Sequence, residues 1–233
     1  MFPFHFEIDT CPRPIAETLQ KQERIFAEVR RGTGWNTLIL AEHEPVYTYV
    51  PGKMSEFPLF RNGGPETLRA RAPLIPVHRG GSITFHGPGQ LVCYFIFNLR
   101  STRLGALDLN RLIEKSVTEL LARYGISGEP KPEHLPIQAS GIWVRKEHEH
   151  PKKIASRGLR VVATSKSENI TRFGCAINLM TDMRWFDAIY PCGLDIEMTS
   201  VEKETGQRPD MRDAAVIFAT IFANNLEEKR HSS

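Results

Sequence analysis

Apolar positions recur at helical spacing in three separate stretches, and nearly continuous or alternating apolar runs fill the intervals between them. Ile15, Leu19, Gln22, Phe26 and Val29 form one stripe, with Pro14 suited to its start and Arg30, Arg31 and Gly32 to its end. A second stripe carries Leu109, Leu112, Ile113, Val117, Leu120, Leu121 and Tyr124, with Asp108 expected as the N-cap and Gly125 as the stop. A third surrounds Ala214, Ile217, Phe218, Ile221 and Phe222. Strands are predicted at 2–8, 37–41, 74–78 and 91–99, the last covered on both faces because almost every residue in it is apolar. Further strands are predicted at 141–145 and 154–163, joined by the charged turn KEHEHPKK, and at 170–179. Residues 55–73, rich in Pro, Gly and Arg without period, read as a surface loop, and the proline-rich residues 129–136 as a connector. Helices before, between and after strand clusters define an α/β (α+β) chain with a mixed sheet flanked by helices. It is expected to form one domain over 1–233, with a smaller C-terminal part from about 180.

Composition narrows this picture by exclusion. The chain has 233 residues, 41% of them hydrophobic and 24% charged, enough for a sizeable core. A net charge of +3 is too mild to predict nucleic-acid binding. The longest apolar runs fall short of the roughly 20 residues that cross a membrane. The start, MFPFHFEIDT, lacks the pattern of a signal peptide. Four cysteines, at 11, 93, 175 and 192, contain no CxxC pair, so neither a disulfide framework nor a zinc site is expected. EHEH at 147–150 reads as a solvated hairpin tip rather than a metal cluster. The expectation is a reduced, cytoplasmic protein without a metal or cofactor.

Residues 79–99, RGGSITFHGPGQLVCYFIFNL, stand apart. Their glycines and proline make a poor strand at the start of the stretch and a good loop where backbone must approach a ligand closely. No GxxxxGKS or GxxxxGKT is present, and no GxGxxG opens a helix, so nucleotide fingerprints are absent. Cys192, between a proline and a glycine, presents a thiol at a turn, whereas Cys93 reads as core. A cysteine nucleophile needs a nearby cation or base, and both Lys153, at the head of a strand, and His86, in the glycine-rich stretch, are candidates.

These pieces together resemble one family. RGGSITFHGPGQLVCY at 79–94 is similar to the RGGxxTxHGPGQLVxY motif of the octanoyl-acyl carrier protein:protein N-octanoyltransferases, the lipoyl (octanoyl) transferases of lipoate biosynthesis. EHEPVYT at 42–48, GIWV at 141–144, KIASRGLRV at 153–161, GCAIN at 174–178 and DMRWFDAIYPCG at 182–193 resemble its other motifs, in the same order. The resemblance implies the fold of biotin and lipoate protein ligases. It also implies transfer of an octanoyl group from acyl carrier protein to a lysine of lipoyl domains, those of 2-oxoacid dehydrogenase E2 subunits and the glycine cleavage H protein. By that resemblance Cys192 is the nucleophile and Lys153 lowers its pKa and shuttles the proton. Substrate contacts fall on Arg79, Gly80, Gly81, Ser82, Ile83, Thr84, Phe85 and His86, on Ser156, Arg157 and Gly158, and on Gly174, Cys175 and Ala176.

Chemistry is consistent with these roles. Thioester exchange onto cysteine is nearly isoenergetic and needs no ATP, and the final amide drives transfer forward. An octanoyl tail buries about seven methylenes at roughly 0.8 kcal/mol each, which favours a medium chain over a short one. The alternative is an ATP-dependent lipoate or biotin protein ligase, which needs an adenylate site and no thiol. Three departures from the family pattern stand out: Arg157 where an apolar residue is usual, Phe173 in place of a histidine, and Cys175 at a variable position. A charged side chain at 157 is expected to point away from an acyl slot or to meet a polar group.

Overall fold

The computed structural model describes residues 4–53, 59–61, 63–165 and 168–231. Strand β1 (Phe4–Arg13) leads through Pro14 into α1 (Ile15–Arg31), which ends at Gly32 in the left-handed region (φ 71°), the conformation that glycine adopts without strain. Phe2 and Pro3 of the first predicted strand lie outside the described residues. Next come β2 (Asn36–His43), β3 (Val46–Tyr49), the short α2 (Pro65–Arg69), β4 (Leu74–Pro76), β5 (Ile83–His86) and β6 (Gln90–Ile96). The middle of the chain holds α3 (Leu99–Thr102), α4 (Ala106–Ala122), β7 (Gly128–Pro130), β8 (Gly141–Val144) and β9 (Lys152–Arg157). After these follow β10 (Arg160–Ser165), β11 (Glu168–Arg172), β12 (Gly174–Asn178), α5 (Val201–Thr205) and α6 (Met211–His231).

Among the described residues the strands form three sheets. The largest has the order β1-β2-β6-β12-β9-β8-β7, with β1 parallel to β2 and the other neighbours antiparallel. Its two faces are covered by different helices. On one, α4 and α6 bury Leu109, Ile113, Val117 and Phe218 in one cluster with Leu38, Cys93 and Phe95. On the other, Ile25, Phe26 and Val29 of α1 pack on Ile39, Tyr94 and Ile96. This two-sided cover explains why β2 and β6 are buried at every position. A three-stranded sheet, β4-β3-β5, packs with the turn Met183–Ala188 around Tyr47, Phe85, Trp185 and Phe186, and β10 pairs with β11 as a separate hairpin.

Five details differ from the sequence reading. Ile83–His86 is a strand rather than loop, because β3 supplies its hydrogen-bonding partner in the register Val46↔His86 to Tyr49↔Ile83. Of residues 55–73, the described part is not merely surface: Leu59, Leu68 and Ala72 are buried and Pro65–Arg69 is helical. Helix α4 starts at Gly105, with Asp108 three positions in, its carboxylate accepting from the Gly105 N–H at 3.1 Å. The strand predicted at 154–163 breaks at Gly158 and Leu159, and that at 170–179 breaks at Phe173 (φ 59°). These breaks let β10 and β11 peel away as a hairpin while β9 and β12 stay in the large sheet. Part of the predicted connector is β7, paired with β8.

Candidate active site

Cys192 lies in the short turn Pro191–Gly193 with φ 59° and ψ 19°, a left-handed conformation that costs a non-glycine residue about 1–2 kcal/mol. The surrounding structure enforces it. Tyr190 N–H donates to Leu59 O at 3.0 Å, and Arg61 donates to Ile189 O at 2.9 Å and pairs with Asp195 at 2.7 Å. The cysteine is 6% exposed.

Lys153 enters from the opposite side, on β9. Its side chain is fully buried, and Nζ donates to Cys192 Sγ at 3.8 Å. Backbone bonds hold the strand there: Lys153 N–H donates to Glu197 O at 2.8 Å and Thr199 N–H to Lys153 O at 2.9 Å. The ring of Trp143 lies 5.8 Å from the ammonium. Gly141, at φ 143°, makes room, since a Cβ there would collide with Ala155 O and stand 2.8 Å from Lys153 Cε. Burial lowers the Lys153 pKa, and the sulfur opposes that shift by favouring the ammonium. Arg79, half-buried, donates to Thr48 O, Thr48 Oγ1 and Gly80 O, and its pKa is lowered to about 10 by desolvation, against the charge of Cys192.

Two spaces lie near Cys192 and share Arg157 in their lining. One is an apolar cavity lined by Val77, Val92, Cys93, Phe173, Cys175 and Ala176, with Thr84, His86 and Cys192 also on its wall. The other is a polar groove of about 300 Å³ that runs past Gly80, Gly81 and Ser82. Strand alternation sorts the glycine-rich stretch between them. Ser82, just before β5, and Thr84 and His86 on it line these spaces, whereas Ile83 and Phe85 are buried in the cluster around Tyr47. Ser156, Gly158 and Gly174 line the cavity, and Arg157 lines both spaces. The Arg157 guanidinium meets polar groups, Glu114 at 3.0 Å and Ser140 Oγ at 3.1 Å.

Residues that sequence reasoning did not select complete the site. His86 Nδ1 is 2.6 Å from Gln90 Oε1, Gln90 Nε2 donates to Asn178 Oδ1 at 2.8 Å and to Phe85 O, and Asn178 Nδ2 donates to Thr199 O at 3.0 Å. Phe85 O and Thr199 O are backbone carbonyls that can only accept, so they orient the two amides. Gln90 therefore presents its oxygen to His86, whose proton is on Nδ1 and whose Nε2 is an acceptor. Burial, and then the charge of Arg79, push the His86 pKa down to about 3. His43, bonded to Tyr94 OH at 2.7 Å, is lowered to about 4, chiefly by burial. Thr48 and Tyr94 also line the cavity. Gln90 and Asn178 stood inside quoted motifs, but nothing local marks them as bonded to each other.

The buried histidines make a stability prediction. Below the unfolded value near 6.5 the unfolded chain takes up protons that His43 and His86 refuse, so stability is full above that pH and falls as pH drops toward 4. The slope is up to about 1.4 kcal/mol per pH unit for each histidine. Urea unfolding midpoints should fall between pH 7.5 and 5 in the wild type and fall less in His43→Gln. Equal midpoints at both pH values would contradict the neutral burial of these rings.

The fold is thus a large mixed sheet with helices on both faces, with a buried thiol beside a lysine and an apolar cavity. The chain belongs to the family described as the lipoyl protein ligase A/B catalytic domain, whose model matches residues 14–223. Within it the similarity is to octanoyltransferases, and the protein is an acyltransferase. It is 37% identical over 182 residues to the octanoyltransferase of Bacteroides fragilis (strain YCH46), covering 76% of each chain. It is 33% identical over 224 residues to that of Bacteroides thetaiotaomicron, covering 93% of each. Among solved structures, lipoate-protein ligase A bound with ATP superposes with a TM-score of 0.73 at 15% identity, over 97% of this chain and 86% of that one. Biotin protein ligase from Aquifex aeolicus superposes with a TM-score of 0.51 at 16% identity, over 100% and 73%. The ligase fold read from the sequence is therefore the fold observed. Among the described residues no helix is long and apolar enough to cross a membrane.

Proposed function

We propose that this acyltransferase moves an octanoyl group from octanoyl-acyl carrier protein to a specific lysine of lipoyl domains, through a thioester on Cys192, as a cytoplasmic enzyme. The acceptors are the lipoyl domains of 2-oxoacid dehydrogenase E2 subunits and the glycine cleavage H protein. The observation that carries this reading is Lys153 Nζ at 3.8 Å from Cys192 Sγ, both buried, with Cys192 in the lining of an apolar cavity. A buried ammonium with a thiol as partner is most stable when the thiol is ionised, and a thiolate is the nucleophile.

In the first half-reaction the Cys192 thiolate attacks the thioester carbonyl, and the bond to the carrier sulfur breaks. The leaving thiolate takes a proton from Lys153, which is left neutral. The octanoyl tail lies in the cavity walled by Val92, Phe173 and Ala176. In the second, the neutral amine of the acceptor lysine attacks the acyl-enzyme. Its surplus proton passes to Lys153, and the Cys192 thiolate leaves, which restores the starting ion pair. Depressed basicity suits Lys153 to both transfers, because it gives up its proton more readily than an exposed lysine.

Incubation with octanoyl-acyl carrier protein and a lipoyl domain, without ATP, should convert the acceptor lysine to its octanoyl amide. A requirement for ATP with free octanoate, and release of pyrophosphate, would instead identify an adenylating ligase.

A further inference from the structure

The groove beside Cys192 holds two polar atoms that the fold leaves without a partner. Ser82 is 2% exposed, and its Oγ has no hydrogen-bond partner among the described residues. The Oε1 atom of Gln138, on the same groove, is likewise buried and unpartnered. Their neighbours are satisfied: Ser140 Oγ donates to Ile137 O and accepts from Arg157, and Arg79 is bonded to Thr48 and Gly80. Buried polar groups in folded proteins are nearly always paired, so two orphans on one groove point to a ligand that pairs them. Gly80 and Gly81 line the same groove. A Cβ on Gly81 would stand 3.8 Å from Cys192 Sγ and 3.2 Å from Arg79 Nη1, so a side chain there would close the path from groove to sulfur.

We propose that this groove is a secondary-amide subsite for the donor, with Gln138 Oε1 accepting the amide N–H and Ser82 Oγ–H donating to the amide oxygen. The proposal rests on the reading that the donor is a thioester of a carrier's pantetheine arm. In such an arm the first amide is two methylenes from the sulfur. A peptide amide of the acceptor is separated from the reacting nitrogen by four methylenes and the Cα, which places it farther from the thiol. Ser82 directly follows Gly81, and the shorter spacing fits. Cys192 then lies between complementary halves of one substrate, acyl tail in the apolar cavity and amide in the polar groove. Ser82 and Gln138 are specificity-determining residues for the donor.

The test compares acylation of Cys192 by S-octanoyl-N-acetylcysteamine and by the octanoyl thioester of 1-pentanethiol, which keeps the chain length and lacks the amide. The wild type should favour the amide-bearing donor in kcat/KM by at least about tenfold. Ser82→Ala and Gln138→Leu should each bring that ratio toward unity. Because the ratio is taken within one variant, partial misfolding does not affect it. Equal rates in the wild type, or a ratio undiminished in both variants, would overturn the subsite while leaving the thioester mechanism standing. Failure of both donors and of octanoyl-acyl carrier protein to acylate Cys192 would overturn the two together. With preformed octanoyl-enzyme, the variants should not alter the preference for N-acetyl-lysine amide over butylamine. A loss of preference there, in place of the donor step, would assign the groove to the acceptor and overturn the donor assignment.

Discussion

Cys192→Ser lowers octanoyl transfer by at least about 10⁴-fold, with the protein still folded. A serine hydroxyl occupies the same turn, yet at neutral pH it is not ionised by a neighbouring ammonium. The left-handed backbone at 192 is held by bonds from Tyr190, Arg61 and Gly193, none of which involves the thiol. Serine therefore removes the nucleophile without removing the turn. Cys93 and Cys175 also line the cavity and are the natural controls. They face each other across β6 and β12, and burial together with a bond to Cys175 pushes the Cys93 thiol well up. Replacing either with alanine should leave acyl-enzyme formation at Cys192 detectable. Steady-state transfer to a lipoyl domain measures the effect, and a Cys192→Ser enzyme within tenfold of wild type would contradict it.

Lys153→Met should lower transfer by about 10²–10⁴-fold, the span ordinarily lost with a positioned proton-transfer group. Methionine matches the buried shape and avoids an unpaired charge, so folding is expected to survive. The Cys192 thiol loses its ammonium neighbour at 3.8 Å, and its alkylation by iodoacetamide at neutral pH should slow by about tenfold or more. Lys153→Arg should not rescue activity. Guanidinium is larger than the fully buried slot over Trp143, and it does not give up a proton near neutrality. Unchanged alkylation together with near-normal transfer in Lys153→Met would sink the assigned role.

Much of this fold was legible wherever a single element carries its own signal. Helix α1 runs from Pro14 to Gly32 as its stripe and its end residues indicate, and β6 is buried at each position as its apolar run demands. Elements whose stability comes from elsewhere were not legible. Ile83–His86 is flanked by the glycines of a loop, at 80, 81, 87 and 89, and becomes a strand because β3 lies beside it. Leu59 and Leu68 lie in the stretch that reads as a surface loop and are core residues of the small sheet. The breaks at Gly158 and at Phe173 divide what read as single strands, because β9 and β12 must pair with each other while β10 and β11 turn away.

The site divides the same way. Motif resemblance singled out Lys153 and Cys192, which are 39 positions apart and are brought to 3.8 Å by the pairing of residues 197–199 along β9. It could not distinguish Thr84 and His86, on the cavity wall, from Ile83 and Phe85, packed behind it, since only the strand alternation separates them. The chain from His86 through Gln90 and Asn178 to Thr199 spans more than a hundred residues of sequence, and only tertiary structure assembles it. Arg157, the most conspicuous departure from the family pattern, is held by Glu114 and Ser140 on α4 and the loop before β8.

The most direct measurement is the intact mass of the wild-type enzyme after brief exposure to octanoyl-acyl carrier protein without an acceptor. A thioester route predicts a gain of one octanoyl group, removed by hydroxylamine and mapped by peptide analysis to Cys192, with discharge on addition of a lipoyl domain. Active enzyme that transfers octanoyl to the lipoyl domain while never carrying the group on Cys192 would contradict it.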